Sequence, residues 1–341
     1  MEKLTIILIS LIFFVFFNNF LVKNKILLNY SGSIHQKFSG ITKVPLTGGI
    51  FIFFSILYLY FYEIESIIYL FASLLILGLA TDFKLIASPK TRFLIQTILL
   101  FLIVYFSDLR ISTTRIYVLD LLISNVILSY LFSTFCLLIL INGSNFIDGL
   151  NGLLVGYFLL ISTIFYQLDF IEFLDVESND LLFFSMILFI LFLLNLFKKT
   201  FMGDTGAYIL GFFYGYLLIK IYAEHQIFSP FFVILLLWYP CFENLFSILR
   251  KFKLKKSPVD PDNNHLHQLL FFYLKKKYKL KDIFANNYGS LIVLLYNFII
   301  FHLGLQNISN TQYQIILILI SILIYCFIYF KLFAYKYKLK V

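Results

Sequence analysis

Long apolar blocks recur along the whole chain, most of them about 17 to 22 residues long, which is the length of helix that crosses a ~30 Å hydrocarbon core. Hydrophobic residues make up 61% of the sequence and charged residues only 13%. The blocks lack the polar-apolar alternation that a membrane barrel strand requires. We therefore predict an all-α fold, a polytopic transmembrane helical bundle with about 10–11 spans.

The apolar blocks define the predicted helices and leave no segment for a second domain. The predicted spans are Leu4–Val22, Leu46–Tyr62, Ser66–Ala80, Phe93–Ser107, Leu121–Ile141, Leu153–Leu168, Leu181–Phe197, Ala207–Ala223, Ser229–Leu249, Tyr288–Leu305 and Tyr313–Leu332. The first block resembles a signal peptide, but it is nearly a full span long and no small-residue cleavage site follows it. It is interpreted as a helix, and residues 1–341 are predicted to form a single integral-membrane domain.

The Lys and Arg residues are distributed unequally between alternate loops. One side of the predicted bundle holds 23 of the 27, and the other side holds Lys3, Arg110, Arg115 and Lys220. Because cytoplasmic loops are enriched in Lys and Arg, the N-terminus is predicted to be periplasmic and the C-terminus cytoplasmic. The net charge of +9 then reflects this topology and attraction to anionic membrane lipid, and no nucleic-acid partner is predicted.

Five polar loops are predicted to lie on the cytoplasmic side. They are Thr42–Ile50, Ala80–Arg92, Asn142–Gly152, Asn195–Ala207 and Pro258–Leu270, and they combine Gly, Asn, Asp and His residues. The loops on the other side carry no comparable mixture. In one of them, Asp108–Asp120, the Thr and Ile content indicates a small hairpin. Chemistry is therefore expected at the cytoplasmic ends of the helices.

Three carboxylates stand at the edges of predicted spans: Asp82, Asp148 and Asp204. An ionisable group near the membrane is costly and suggests a function. Acids from three helices could converge on a divalent cation such as Mg²⁺, which takes a few carboxylates and shares its other positions with water and substrate phosphates. Each acid could equally begin a loop or cap a helix, so both interpretations stay open for any one of them.

Two histidines, His265 and His267, are separated by one residue in the last polar loop. This spacing places them on one side of an extended segment but on different sides of a helix. A zinc site would require further His or Cys ligands, and none is nearby. Contact with an anionic substrate fits better, because an imidazole can donate a hydrogen bond to a phosphate. The apolar spacing that follows predicts a short amphipathic helix on the membrane surface.

Taken together, the five loops resemble those of the polyprenyl-phosphate N-acetylhexosamine-1-phosphate transferases, of the glycosyltransferase 4 type. The matching motifs occur in family order: the Gly-Gly loop, the acidic position followed by Ser-Pro and Arg, the Asn-x-x-Asn-x-x-Asp-Gly run, Met-Gly-Asp-x-Gly and the His-rich loop. Each motif alone is weakly specific, whereas the ordered set is highly specific. The resemblance covers nearly the whole chain.

The resemblance implies an activity in the bacterial inner membrane. An N-acetylated sugar 1-phosphate would pass from a UDP-sugar to undecaprenyl phosphate, with release of UMP and dependence on Mg²⁺ or Mn²⁺. This reaction would be the first membrane step of surface glycan synthesis, of the O-antigen or lipopolysaccharide type. Such a transfer needs charge neutralisation and in-line positioning more than covalent help. The resemblance also allows a homodimer.

Roles for individual residues follow from the same resemblance. The expected catalytic residues are Asp82, Asp148, Asp204, His265 and His267, with Asp204 and Asp82 as metal ligands. The expected substrate-binding residues are Lys43, Arg92, Asn142, Asn145, Asn151 and Asn195, with the two basic residues meeting phosphates and Asn142 and Asn195 supporting the nucleotide pocket.

The chain departs from the family pattern at several positions. Thr81 stands where an Asp is usual, and a threonine cannot act as a base toward the lipid phosphate. A phosphate monoester has a second pKa near ~6 and is largely dianionic at neutral pH, so a base is dispensable. Asn151 and Gln268 replace an Asp and a His. Glu243 stands where an Asp is common, and both a structural role and a substrate contact stay open for it.

Two other functions were weighed. The phospho-N-acetylmuramoyl-pentapeptide transferase of peptidoglycan synthesis belongs to the same family, but its loop holds three histidines, which the His-Leu-His-Gln sequence at 265–268 lacks. A membrane transporter would place ionisable residues near the middle of the membrane. Here the three acids lie at helix ends, which favours the transferase.

Overall fold

The computed structural model describes residues 2–29, 43–168, 178–226, 228–253, 255 and 263–338. Parts of the predicted loops Thr42–Ile50 and Pro258–Leu270 lie outside these ranges. The described helices are α1 Glu2–Asn24, α2 Gly48–Leu59, α3 Phe61–Ile64, α4 Ile68–Asp82, α5 Pro89–Phe106, α6 Tyr117–Ile123, α7 Val126–Ile147, α8 Leu153–Gln167, α9 Ser178–Leu196, α10 Gly203–His225, α11 Pro230–Lys253, α12 Leu266–Lys277, α13 Asp282–Leu305 and α14 Thr311–Tyr337, with a 3₁₀ turn at Glu65–Ile67. The prediction of an all-α membrane protein is confirmed.

Every predicted span corresponds to a helix, but the helices differ in length. In the described residues, nine helical segments are long and apolar enough to cross a membrane. Helices α2 and α8 are shorter, at 12 and 15 residues, or about 18 and 22 Å at 1.5 Å per residue. These two blocks were predicted as spans of the same kind, yet neither reaches across a ~30 Å core alone.

The predicted hairpin in Asp108–Asp120 is wrong. Part of this segment forms α6, and side chains satisfy the backbone of the rest. The Ser133 hydroxyl accepts a hydrogen bond from the Ile111 N–H (2.9 Å), and the Ser129 hydroxyl donates to the Ile111 carbonyl (3.0 Å). The Asp120 carboxylate accepts from the Thr114 N–H (2.6 Å). These contacts replace the strand-to-strand hydrogen bonds that Thr and Ile content alone suggested.

Helix α10 forms the centre of the bundle. Its residues from Thr205 to Leu218 are buried without interruption, and Ile221 and Tyr222 are buried as well. A helix that is apolar on all sides is expected in a protein interior, and α10 packs against α2, α4 and α7. The same packing fixes the position of its first turn, which carries Asp204.

Gly49 lies where α2 meets α10, and a Cβ atom there would be 2.3 Å from the backbone nitrogen of Gly206. Backbone cannot yield as a flexible side chain can, so we expect Gly49→Ala to destabilise the protein by about 1–3 kcal/mol, as overpacked sites do. Thermal unfolding of detergent-solubilised protein measures the loss. Gly289→Ala is the matched control, because the nearest atom to its Cβ would be the end of the Leu150 side chain at 3.1 Å, and the nearest backbone atom would be 3.8 Å away. Equal stability of the two variants would contradict the prediction.

Pro240 lies inside α11 and locally changes its hydrogen bonding. A proline has no N–H, so the carbonyl four residues earlier, that of Leu236, loses its usual helical partner. The Tyr157 hydroxyl of α8 donates to this carbonyl instead, at 2.8 Å. The helix therefore continues past the proline and carries Glu243 one turn further, close to the polar loops.

The polar loops gather at one end of the bundle, which we call the site end. Here Phe201 N–H donates to the Pro45 carbonyl (2.9 Å), and Lys336 on α14 donates to the Asn263 carbonyl (2.7 Å). At the opposite end Lys3 and Asp180 form an ion pair at 3.0 Å. The helix order thus brings all five loops, in their described parts, to the same end.

Candidate active site

Asp82 is the last residue of α4 and meets the first turn of α10. Its Oδ1 accepts from the Asp204 N–H (2.8 Å), and its Oδ2 accepts from the Thr205 N–H (3.1 Å) and the Thr205 hydroxyl (2.6 Å). A carboxylate at this position accepts hydrogen bonds from the first N–H groups of α10, which have no partners within the helix. Its negative charge is also stabilised by the positive end of the helix dipole. The capping role that the sequence left open for Asp82 is therefore real, and it acts on a neighbouring helix.

Gly203 explains why the Met-Gly-Asp-x-Gly motif needs a glycine before the acid. Its φ is +67°, in the left-handed region that favours glycine. A Cβ atom there would also lie 2.7 Å from Oδ2 of Asp82. Any other residue would push the Asp82 carboxylate away from the helix that it caps.

Asp204 lies at the start of α10 and is surrounded by hydrogen-bond donors. Arg92, from the first turn of α5, donates to its Oδ2 at 2.7 Å, and both side chains are only partly exposed, 26% for Arg92 and 21% for Asp204. The side chains of Asn145 on α7 and Tyr208 on α10 also lie close to this carboxylate. Polar side chains from α5, α7 and α10 thus surround Asp204.

Asp148 follows α7 directly and lies beside the Gly203 backbone at the start of α10. Burial, and then the charges of Asp204 and Asp82, raise the pKa of the Asp148 carboxyl well above its ordinary value. Three acids borne on three helices therefore lie close enough to affect one another electrostatically. Such a cluster favours a cation or a shared proton.

The described residues contain no group of three or more His, Cys, Asp or Glu side chains already arranged around a metal position. The oxygen donors near one another are the carboxylates of Asp204, Asp148 and Asp82. Because Mg²⁺ is usually bound by one or two carboxylates and otherwise by water and phosphates, this donor set fits a hard cation that arrives with a phosphorylated substrate. Both oxygens of Asp82 already accept hydrogen bonds from α10. Each oxygen has a further lone pair, so Asp82 stays a predicted ligand of the cation.

Two of the predicted amides lie in supporting positions. Asn142 on α7 donates to Gln96 Oε1 of α5 at 3.1 Å. Asn195 is buried and its Oδ1 accepts from the Gly152 N–H at 2.6 Å. Both side chains therefore hold together segments that carry Arg92 and Asp148, and their support of a nucleotide pocket stays a prediction.

Asn151 is only 3% exposed and is held by α13. Its N–H donates to Asn286 Oδ1 (2.6 Å) and its Nδ2 donates to Asn287 Oδ1 (2.9 Å). The contact of Asn151 with substrate stays a prediction, because these partners occupy its amide. Asn145, in contrast, reaches Asp204 and lies within the acidic cluster.

The two histidines lie side by side at the start of α12. His265 precedes the helix with an extended backbone, and its ring is stacked with that of His267 at 5.7 Å between centroids. The motif is therefore extended at His265 and helical at His267. Both side chains are buried, and the Gln268 Oε1 atom accepts from the His265 N–H at 3.3 Å. Gln268 thus stabilises the first turn of the helix.

Glu243 on α11 orients this pair. Its Oε1 accepts from His265 Nδ1 (2.9 Å) and from the Leu266 N–H (3.3 Å), and its Oε2 accepts from the Tyr325 hydroxyl of α14 (2.9 Å). Arg250, also on α11, donates to the Asn264 carbonyl (2.6 Å), directly before the histidine segment. Helices α11 and α14 therefore fix the histidine segment from both sides.

His267 is fully buried, and its Nε2 has no hydrogen-bond partner among the described residues. A Cβ atom on Gly149 would lie 2.6 Å from this nitrogen. The imidazole therefore faces the residue that follows Asp148. The site thus brings His267 next to the acidic cluster through the Gly149 backbone.

Burial lowers the pKa of the His267 imidazole from 6.5 to about 3, against the opposing charge of Glu243. Below pH 6.5 the unfolded chain binds a proton at this residue and the folded chain does not. Stability is therefore expected to fall as pH drops from 6.5 toward 3, by up to about 1.4 kcal/mol per pH unit. Melting temperatures between pH 7.5 and 5.5 measure this fall, which should be smaller in His267→Gln. Identical pH dependence in both proteins would contradict it.

Lys43 lies in a second group of charges, away from the histidines. It lines a cavity of about 300 Å³ together with Lys25, Lys84, Asp82 and the apolar residues Leu27, Leu28 and Phe83. Asp82 therefore belongs both to the acidic cluster and to the wall of this basic cavity.

The sequence did not single out Tyr208 or Thr205, although both contact the acids. Tyr208 lies one helical turn after Asp204, and its hydroxyl lies close to the Asp204 carboxylate and to Thr81. Positions four apart share a helix face, so this spacing was the available signal. Thr205 was hidden as the variable position of the Met-Gly-Asp-x-Gly motif.

Comparison with known proteins adds an independent observation. Residues 64–222 match glycosyl transferase family 4, a range that contains three of the five polar loops. A probable undecaprenyl-phosphate N-acetylglucosaminyl 1-phosphate transferase of Bacillus subtilis is 29% identical over 209 residues, covering 59% of this chain and 56% of the relative. The undecaprenyl-phosphate alpha-N-acetylglucosaminyl 1-phosphate transferase of Salmonella typhi is 27% identical over 245 residues, covering 67% and 65%.

A shorter match reaches a relative with a different lipid in its name. The decaprenyl-phosphate N-acetylglucosaminephosphotransferase of Mycolicibacterium smegmatis is 31% identical over 153 residues, covering 38% of this chain and 37% of the relative. The chain thus aligns with less than two thirds of the length of each of these three relatives.

Proposed function

We propose that the chain is a member of glycosyl transferase family 4, which its residues 64–222 match, and that it transfers an N-acetylhexosamine 1-phosphate from a UDP-sugar to undecaprenyl phosphate. UMP is the second product. The names of the relatives support the lipid acceptor and the sugar 1-phosphate. The reaction would be the first membrane step of a surface glycan of the O-antigen or lipopolysaccharide type.

The observation that carries the proposal is the convergence of Asp82, Asp148 and Asp204 at the site end, with Arg92 bound to Asp204. Phosphoryl transfer depends on positioning and on neutralising phosphate charge. Arg92 presents a planar guanidinium that suits phosphate oxygens. A transporter would place such groups within the membrane, whereas all three acids here lie at helix ends.

Mg²⁺, or Mn²⁺ in its place, is the proposed cofactor. Asp204 and Asp148 would hold it, with Asp82 as the further candidate. When bound, the cation would neutralise charge on the diphosphate of the donor. The coordination positions that the protein leaves open suit water and phosphate oxygens.

The residues of the chain position the reacting groups. An oxygen of the lipid phosphate forms the new bond to the β-phosphorus of the donor. The bond from that phosphorus to the oxygen bridging the α-phosphate breaks, and UMP leaves with the electron pair. Arg92 and Asn145 orient Asp204, and His265 and His267 lie where the donor's phosphate and sugar end would approach. Thr81 supplies no base, and the dianionic acceptor requires none.

The site end is proposed to be cytoplasmic in a bacterial inner membrane. The excess of Lys and Arg in the loops at this end supports that orientation, and it gives the UDP-sugar access from the compartment in which nucleotide sugars are made. The N-terminus of α1 would then be periplasmic and the end of α14 cytoplasmic. Assembly as a homodimer stays a prediction.

A donor panel tests the proposal. Purified protein with undecaprenyl phosphate and Mg²⁺ receives radiolabelled UDP-N-acetylhexosamines, and the solvent-extractable lipid fraction is counted. Lipid product with at least one UDP-N-acetylhexosamine is expected. Product only with UDP-N-acetylmuramoyl-pentapeptide would favour the peptidoglycan transferase. Vesicle flux of a solute without any lipid product would favour a transporter.

A further inference from the structure

The cavity that contains Lys25, Lys43 and Lys84 has about 300 Å³ of space and includes Asp82 in its wall. We propose that this cavity binds the terminal phosphate monoester of the polyprenyl acceptor, with Lys25 and Lys84 as phosphate ligands beside Lys43. The inference rests on the proposed function and names the residues that select one of its two substrates.

The two lysines reach the cavity through the same backbone geometry. Lys25 follows α1 with φ +58°, and Lys84 follows α4 with φ +61°. After each lysine, the next N–H donates back to a carbonyl five residues earlier. These hydrogen bonds join Ile26 N–H to the Leu21 carbonyl (3.0 Å) and Leu85 N–H to the Ala80 carbonyl (2.8 Å). Helix ends of this type favour glycine, so a lysine there is held at a conformational cost.

The charges in the cavity are complementary to a phosphate. Asp82 directs both of its oxygens to donors on α10, so it is already engaged on the far side of the wall. In the described part of the chain, no ion pair joins Lys25, Lys43 or Lys84 to a carboxylate. A phosphate monoester carries up to two negative charges at neutral pH, which three ammonium groups can neutralise.

The surroundings of the lysines favour a lipid-linked phosphate over a nucleotide. Leu27 and Leu28 line the cavity. Close in sequence, Ile26, Phe83 and Leu85 are exposed by 42%, 49% and 78%. Exposed apolar side chains at a helix end in a membrane protein adjoin acyl chains. The cavity therefore offers cations to a headgroup and apolar surface to the first isoprene units.

Its position also fits the acceptor. Asp82 lies between the cavity and Asp204. It lines the cavity, and its Oδ1 accepts a hydrogen bond from the Asp204 N–H at 2.8 Å. A phosphate bound among the lysines would lie beside the acidic cluster at which the diphosphate of the donor is proposed to bind. The two phosphates would thus approach from opposite sides of Asp82.

Substitution by glycine removes the lysine side chain and allows the backbone to keep its positive φ, so the effect of the lost charge is not mixed with backbone strain. In Lys25→Gly and Lys84→Gly we expect the KM for undecaprenyl phosphate to rise about tenfold, because a charge-assisted contact is lost. The KM for the UDP-sugar should stay unchanged, and the melting temperature should not fall. Lys279→Gly is the matched control, since Lys279 has φ +51° and does not line the cavity. It should leave both KM values unchanged.

The assay uses neutral detergent micelles with and without anionic phospholipid. An equal rise in both KM values, or no change in the KM for the acceptor, would overturn the inference. An effect seen only when anionic phospholipid is present would assign the lysines to general headgroup binding instead. Direct binding of undecaprenyl phosphate, followed by native mass spectrometry, needs no turnover. It therefore tests the cavity even if no UDP-sugar proves to be a donor.

Discussion

Asp204→Asn is expected to lower kcat for sugar-phosphate transfer by about 10²–10³-fold or more, the loss typical of removing a group that stabilises charge at a reacting centre. Asparagine keeps the size of the side chain, so the substitution leaves no cavity. The negative charge that faces Arg92 is lost, and one acceptor oxygen becomes a donor nitrogen. Steady-state kinetics with both substrates saturating measure the effect.

The control for this variant is Asp180→Asn at the opposite end of the bundle. Asp180 is also a largely buried acid in an ion pair, with Lys3 at 3.0 Å, but it is far from the site end. We expect it to lose stability without a specific loss of kcat. If Asp204→Asn retained wild-type turnover, the acidic cluster would not be the reacting centre.

Glu243→Gln is expected to destabilise the histidine segment by about 1–3 kcal/mol, the cost of leaving a buried donor without an acceptor. A carboxylate accepts on both oxygens, from His265 and Leu266 on one side and Tyr325 on the other. An amide accepts on only one side, so either the Tyr325 hydroxyl or the His265 imidazole loses its partner. We also expect kcat to fall, because the His265 imidazole would lose the hydrogen bond that orients it.

Tyr325→Phe removes one of these hydrogen bonds and leaves the carboxylate in place, so its effect should be smaller. Glu243→Asp tests rescue, since the charge is kept on a shorter side chain. The readouts are the melting temperature and kcat at constant pH. Wild-type stability and activity in Glu243→Gln would show that the network contributes nothing.

Much of the fold follows from the sequence because membrane spans depend on a simple quantity, the length of an apolar run. All eleven blocks are helices. The length of an apolar run did not predict every helix correctly, because α2 and α8 are apolar but too short to cross the membrane. Their apolar residues are buried against neighbouring helices such as α9 and α10, and composition cannot distinguish burial in protein from exposure to lipid.

The site shows a similar division. Asp82, Asp148 and Asp204 could be named from their unusual positions, and residues 64–222 match glycosyl transferase family 4, which supports the family resemblance that the loops suggested. Their arrangement could not be predicted, because it depends on which helix ends meet. The interaction of Asp82 with the first turn of α10 joins residues more than a hundred positions apart.

Two further features could not be predicted, because they too depend on which helices meet. Glu243 and Tyr325 meet across helices α11 and α14, and a single buried Glu gives no sign of its partner. The cavity of Lys25, Lys43 and Lys84 is formed by two helix ends and a loop. In the sequence these lysines differ in no way from the many others that mark the side of the membrane.

The most direct test of the central claim follows the β-phosphate of the donor. Purified protein, undecaprenyl phosphate and Mg²⁺ are incubated with UDP-N-acetylglucosamine labelled with ³²P at the β-phosphate and with ³H in the sugar. Transfer of a sugar 1-phosphate predicts both labels in the lipid in equal molar amounts, with unlabelled UMP released and an initial rate of lipid labelling lower by about 10²–10³-fold or more in Asp204→Asn. Lipid that carries ³H without ³²P, or labelled lipid formed equally well by Asp204→Asn, would contradict it.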